Sequence, residues 1–301
     1  MAPDAHDLAQ LHSWRAEGSA IFDQYQRMMA HPALPAAGQA LAGGMLAIAD
    51  SDDALDSVFK DAGRYVAAMC AYYLHIIGGL TLPALKAACA RSQMLSPGRT
   101  RALLLFLLHL GYFELVAESA GGRPAVYRPT PGFVAVWRDH LRVALEAAVR
   151  IEPGVGRLIG RLDEPGVLET VTRIQAEELL SATVGADVDI PFYSIFMNRH
   201  AGTQIVWSLM TGAKDSAFLS EEPIPFSVTG TAKRFQVSRI HVRRMLDDAE
   251  RAGLLRELGD GTVLLLDDAR LIIRFHYALQ LVHLLTTSSK TLAEIGAWPC
   301  D

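Results

Sequence analysis

Ser96, Arg101, Leu104 and Gly111 are matched by Ser238, Arg243, Leu246 and Gly253, each pair 142 positions apart. Downstream, Arg138-Asp139-His140 lies against Arg274-Phe275-His276 at an offset of 136, so the second copy has the shorter turn. Each triplet runs into an amphipathic stretch, Leu141 to Val149 and Tyr277 to Leu285. Each copy is preceded by an apolar helical stretch, near 54–77 and near 192–211. An ordered series held at nearly constant spacing marks a repeated supersecondary unit, which buries its apolar face against its neighbours. The spacing predicts a tandem duplication of one unit of roughly 100 residues.

The second copy reads more clearly. Thr231–Phe235 forms a short helix, and Gln236-Val237-Ser238 a tight turn. Ser238 is placed to accept a hydrogen bond from the free amides of the next helix as its N-cap. Val242, Leu246 and Ala249 fall at i, i+4 and i+7, giving one buried stripe. Arg239, His241, Arg243 and Arg244 then point largely elsewhere. Gly253 ends the helix, because glycine takes the left-handed conformation without steric cost. Leu254 to Leu258 and Thr262 to Leu266 read as two strands joined through Gly259-Asp260-Gly261, residues that suit a tight hairpin.

Short helix, turn, longer helix and hairpin, in that order, make a winged helix-turn-helix. The stretch Thr231-Ala-Lys-Arg-Phe-Gln-Val-Ser-Arg-Ile-His-Val-Arg-Arg-Met-Leu-Asp-Asp-Ala-Glu-Arg-Ala-Gly-Leu-Leu resembles winged-helix bacterial transcription regulators, the broad group that includes the MarR and GntR families. The resemblance covers residues 231–266, with a fainter echo at 84–130. It implies that the helix from Ser238 enters a DNA major groove while the hairpin lies along the backbone. Arginine forks at Arg239, Arg243 and Arg244, with His241, would meet guanine edges and phosphates. Lys233 and Arg234, on the preceding helix, join them as DNA-facing candidates. An amphipathic helix with a solvated arginine face is the competing reading.

Each copy falls short in a different place. The second hairpin is acidic, with Asp260 at its tip, Glu257 before it and Asp267-Asp268 after it, and acid repels phosphate. In the first copy the helix opens on Ser96-Pro97, a cap followed by proline at the first position. Arg99 and Arg101 occupy its first turn. From Ala102 to Leu108 it is apolar all round, which predicts a helix buried on most sides. The first hairpin is longer and basic, with Arg123 on a glycine tip able to reach a minor groove or a backbone. Two such units form either a built-in pseudo-dimer, with its recognition helices about 34 Å apart, or the halves of a homodimer that buries the apolar helix.

Charge and composition bound the rest. The chain has 301 residues, 50% hydrophobic and 20% charged, with a net charge of −5, too apolar for disorder. That balance excludes indiscriminate coating of nucleic acid. Positive charge is concentrated at 80–130, with 6 basic against 2 acidic side chains, while 220–260 holds 7 of each. The run Tyr65–Leu85 lacks Lys, Arg, Asp and Glu, but Gly78-Gly79 and Pro83 break it, so a buried core helix is expected rather than a membrane span. Cys70, Cys89 and Cys300 are too far apart for a metal-ligand spacing and fit a reducing compartment. Met1-Ala2-Pro3-Asp4 opens no secretory pattern.

No zinc-protease, Walker, nucleophile-elbow or paired-cysteine motif is present. Gly154, Gly156 and Gly160 have the wrong spacing for a dinucleotide fingerprint. Phe192, Tyr193, Phe196, Met197, Trp207 and Met210 recur at helical spacing, as core or as the wall of a small-molecule effector pocket. The reading is a mainly α fold with small β-hairpin wings, built from two tandem winged helix-turn-helix units joined by helices. Its divisions are an N-terminal helical segment (1–53), repeat 1 (54–150), a helical connector (151–190), and repeat 2 with a C-terminal helix (191–301). The expected function is a cytoplasmic, non-enzymatic transcriptional regulator of double-stranded DNA. It would need no cofactor or metal and have no membrane partner, while a homodimer and a small-molecule effector stay open. A winged-helix scaffold for protein contacts is the alternative.

Overall fold

Serine caps set the frame of the molecule. Ser96 Oγ accepts the Arg99 amide at 3.3 Å and Ser238 Oγ accepts the His241 amide at 3.1 Å. From each cap runs a helix of 13 residues, Pro97–His109 and Arg239–Arg251. The structure, a computed structural model, describes residues 20–51, 60–91, 95–119, 121–181, 190–212 and 218–296. The expectations resting on residues 1–4 and on Cys300 lie outside them.

In chain order, α1 (Ala20–Ala30) and α2 (Leu34–Ser51) lead to α3 (Ala62–Ile76), α4 (Leu82–Arg91) and the Ser96-capped α5 (Pro97–His109). The hairpin β1 (Phe113–Ala117) and β2 (Val126–Pro129) follows, then α6 (Pro131–Val149), α7 (Gly156–Ile159) and α8 (Val167–Ser181). A π-turn over Tyr193–Met197 precedes α9 (Gly202–Thr211) and β3 (Ile224–Pro225). Next come α10 (Val228–Arg234), the Ser238-capped α11 (Arg239–Arg251), β4 (Leu255–Glu257), β5 (Thr262–Leu265) and α12 (Asp267–Glu294). The fold is mainly helical with small antiparallel sheets.

The two halves correspond element by element. α5 and α11 begin 142 residues apart, as do β1 and β4, whereas β2 and β5, like α6 and α12, begin 136 apart. Gly111 and Gly253 take φ of +71° and +69°, ending the two helices in the left-handed region, where glycine alone is unstrained. A further pairing joins each hairpin: Thr81 makes a single bridge to Val126, and Pro225 of β3 pairs with Thr262. The sequence signalled neither contact.

Packing between the halves is reciprocal. α2 packs on α6 of the first half and α9 of the second; α8 packs on α12 of the second half and α3 of the first. α8 lies within the stretch 151–190 expected as a connector, yet it holds in one half the place that α2 holds in the other. Burial of α2 and α8 between the halves makes one continuous core, with Trp137, Phe133, Tyr72, Phe192 and Tyr277 among its largest members. Phe196, Met197, Trp207 and Met210 belong to that core. The apolar run after Tyr65 ends with α3 at Ile76 and resumes in α4 at Leu82. No single helix among the described residues is long and apolar enough to cross a membrane.

Candidate nucleic-acid interface

α11 is amphipathic: Val242, Met245, Leu246 and Ala249 are buried, and the opposite face is open to solvent. Its open face divides along its length. Arg239 and Arg244 are exposed near the N-terminal end, with Lys233 exposed on α10 beside it, and none of the three forms an ion pair with a described residue. Toward the C-terminal end Asp247, Asp248 and Glu250 predominate, and Asp248 is taken up by Arg199 (2.6 Å) and Arg251. This order runs against the helix dipole, which favours acids in the first turn and bases in the last. α5 also opens on bases, Arg99 and Arg101, with no acid in its first turn, but it carries no acid toward its end.

Not every predicted contact residue is available. Both terminal nitrogens of Arg243 bond the carboxylate of Glu257 on β4, and Asp247 lies 3.9 Å from one of them. Those carboxylates hold the Arg243 guanidinium firmly charged and already partnered. Arg234 forms a two-pronged pair with Asp50 at the end of α2, at 3.2 and 2.7 Å. His241 is half-buried, its Nε2 2.8 Å from the His200 carbonyl. Arg99 bonds Asp61 at 2.8 Å. Ser238 is occupied as a cap but exposed. Arg101 and Arg123 are exposed and form no ion pair with a described residue.

The first turns of α5 and α11 meet at one cluster. Asp61, itself buried, caps α3 by accepting the Arg64 amide and also binds the Arg99 and Arg64 guanidinium groups. Lys60, 3% exposed, reaches the Phe235 carbonyl in the turn before α11 at 3.1 Å. The imidazole of His200 is pushed down to about 4, first by burial and then by Arg64, Lys60, His241 and Arg99. A neutral ring thus sits among four basic side chains drawn from both halves. Reading the sequence missed Lys60, Asp61, Arg64 and His200. Only Asp61, an acid just before an apolar helix, carried a local signal, that of an N-cap.

The first half presents a different surface. Expected to be buried on most sides, α5 leaves Ala102 exposed and Leu105 50% exposed. The correction has a simple cause: α3, α4 and β1 pack on α5 and bury Leu103, Leu104 and Leu107, leaving Ala102 and Leu105 at the surface. Leu115, Val116 and Val126 on the hairpin are exposed as well. Position for position, the exposed Leu105 of α5 stands where α11 has Asp247, and Ala102 stands where it has Arg244.

Among the described residues no group of three or more His, Cys, Asp or Glu side chains is placed to hold a metal. Compared with protein-family models, curated proteins and solved structures, the chain finds no match in any of the three.

Proposed function

We propose that the chain is a DNA-binding transcriptional regulator built from two tandem winged helix-turn-helix units. The observation that carries this reading is the set of unpaired cations at the start of α11. Arg239 stands exposed in the first turn of α11, where a positive charge costs stability unless an anion meets it; Arg244 one turn further on and Lys233 at the end of α10 are exposed beside it. A duplex supplies such anions, and the same open turn lets an arginine fork reach a guanine edge. Arg101 and Arg123 extend the contact on the first half. Arg243 and Arg234 are held in reserve by their carboxylates, and Arg99 and His241 position the two helix tips.

The test is a binding assay on a genomic fragment library followed through a salt titration. Arg239→Ala with Arg244→Ala should weaken binding to every fragment and lower the salt slope by about two units. Binding unchanged in the double variant would remove these residues from the role.

One observation favours a second reading, a winged-helix scaffold for protein contacts: Leu105, Leu115, Val116 and Val126 are large apolar side chains left exposed on the first half. No DNA retention at low salt, together with a stable homo- or hetero-complex in light scattering, would decide for it.

A further inference from the structure

Where α8 crosses the first half lies a cleft of about 900 Å³, walled by α3, β2, α6 and α8. Its volume falls in the range of small-molecule sites. Ile76 and Val134 give it an apolar side, and Tyr72, Arg138 and Glu169 a charged one.

Two of those groups lack full partners. The Arg138 guanidinium makes no hydrogen bond to a described residue, and its Nε is buried. Asp163, 3.4 Å from that nitrogen, is shared with Arg142 at 3.0 Å, so one negative charge serves two guanidinium groups. Glu169 pairs with no cation among the described residues; its one hydrogen bond comes from the Tyr72 hydroxyl, which donates at 3.4 Å. Burial and Glu169 together raise the phenol of Tyr72, so it stays a donor. The other arginine of the wall, Arg128, is already closed by Glu114 at 2.5 Å.

The second half shows what a satisfied version looks like. Arg274, 136 positions after Arg138 on the matching helix, donates through Nε to the Met29 carbonyl at 2.8 Å. There the protein's own backbone supplies the acceptor; at Arg138 no such acceptor is supplied. The terminal nitrogens of Arg138 make no hydrogen bond to a described residue and its carboxylate partner is shared, so a ligand oxygen can meet them in a charge-assisted bond.

We propose that this cleft binds a free α-amino acid or a similar small zwitterion, its carboxylate on Arg138, its ammonium on Glu169 and its side chain against Ile76 and Val134. One positive and one negative group, both incompletely partnered and lining the same cleft with Tyr72, call for a ligand carrying both charges. The inference goes beyond the DNA reading and does not depend on it.

The experiment is calorimetry and thermal shift on the full chain, without DNA, using a panel of α-amino acids. Each is run beside the amine lacking its carboxylate and the acid lacking its ammonium. At least one amino acid should bind, and both singly charged analogues should bind at least about tenfold more weakly. Arg138→Gln and Glu169→Gln should each weaken it by a similar factor. Should either variant fold poorly, Val134→Trp, which fills the cleft from its rim, should abolish binding with the charges intact. No binding of any amino acid at about 10 mM, equal binding of a singly charged analogue, or binding that survives Val134→Trp would overturn the proposal.

Discussion

Arg243 on α11 is gripped through both terminal guanidinium nitrogens by Glu257, fourteen residues later on β4. The pair ties the helix to its hairpin and withdraws a cation from the surface that would face a duplex. Glu257→Gln keeps the shape and a weaker hydrogen bond but frees the charge. In the regulator reading, this variant should bind DNA more tightly than wild type and steepen the salt dependence by about one unit. Arg243→Ala alone should change the slope little. Fluorescence anisotropy across a salt series measures both, and a Glu257→Gln slope equal to wild type would show that Arg243 lies away from the phosphates.

Acid should unfold the protein through its histidines. His140, packed on Tyr65 and Trp137, is pushed down by burial to about 3, and His276, among Phe192, Tyr193 and Tyr277, to about 4. Each is neutral in the folded state and takes up a proton near 6.5 once unfolded. Their contribution is fully present above 6.5 and declines as pH falls toward the folded values, by about 1.4 kcal/mol per pH unit for each ring. At pH 5 the loss comes to about 2 kcal/mol per histidine relative to pH 7. Urea denaturation at the two pH values measures it, and His140→Phe should shrink the difference by about 2 kcal/mol, the share of one ring.

The buried Trp137 indole donates to Thr172 Oγ1 at 3.0 Å, joining α6 of the first half to α8. Thr172→Val keeps the volume and takes the Oγ1 acceptor from the indole N–H, which should cost about 1–3 kcal/mol. Trp137→Phe alone should cost at least as much through lost packing. If the hydrogen bond matters, the double variant should cost less than the two single losses added, a coupling that a denaturant cycle reads directly.

How far the sequence reached follows from the range of the forces involved. Local signals were legible. Ser96 and Ser238 cap their helices, Gly111 and Gly253 end them, and the two offsets carry through the hairpins into α6 and α12. Partners brought together across the fold were not. Asp50 lies 184 residues from Arg234, and Asp61 lies 38 from Arg99. Nothing in the neighbourhood of either arginine marks it as paired. Periodicity also overstated the burial of α5, because an apolar helix at a surface looks the same in sequence as one inside. The two-residue strand β3 was too short to leave an alternating pattern, and nothing local in α8 shows that its packing partners come from both halves.

Gly202 and Gly98 should answer the same substitution in opposite ways. Gly202 opens α9, where a Cβ would stand 1.9 Å from the Phe196 carbonyl oxygen, within the fixed backbone of the π-turn. Backbone cannot swing aside as a side chain does, so Gly202→Ala forces the π-turn and α9 apart. That turn packs on α11, which couples the damage to the candidate interface. The loss should reach the range of severe core overpacking, about 3 kcal/mol or more. At Gly98, in the first turn of α5, an added Cβ would meet nothing within 4 Å, and the backbone φ is one that any residue adopts. Gly98→Ala should therefore stabilise by about 0.4–1 kcal/mol, through a less flexible unfolded chain and better helix propensity. Thermal denaturation of the two variants separates the cases, and a Gly202→Ala midpoint close to wild type would mean that the π-turn yields more easily than its geometry requires.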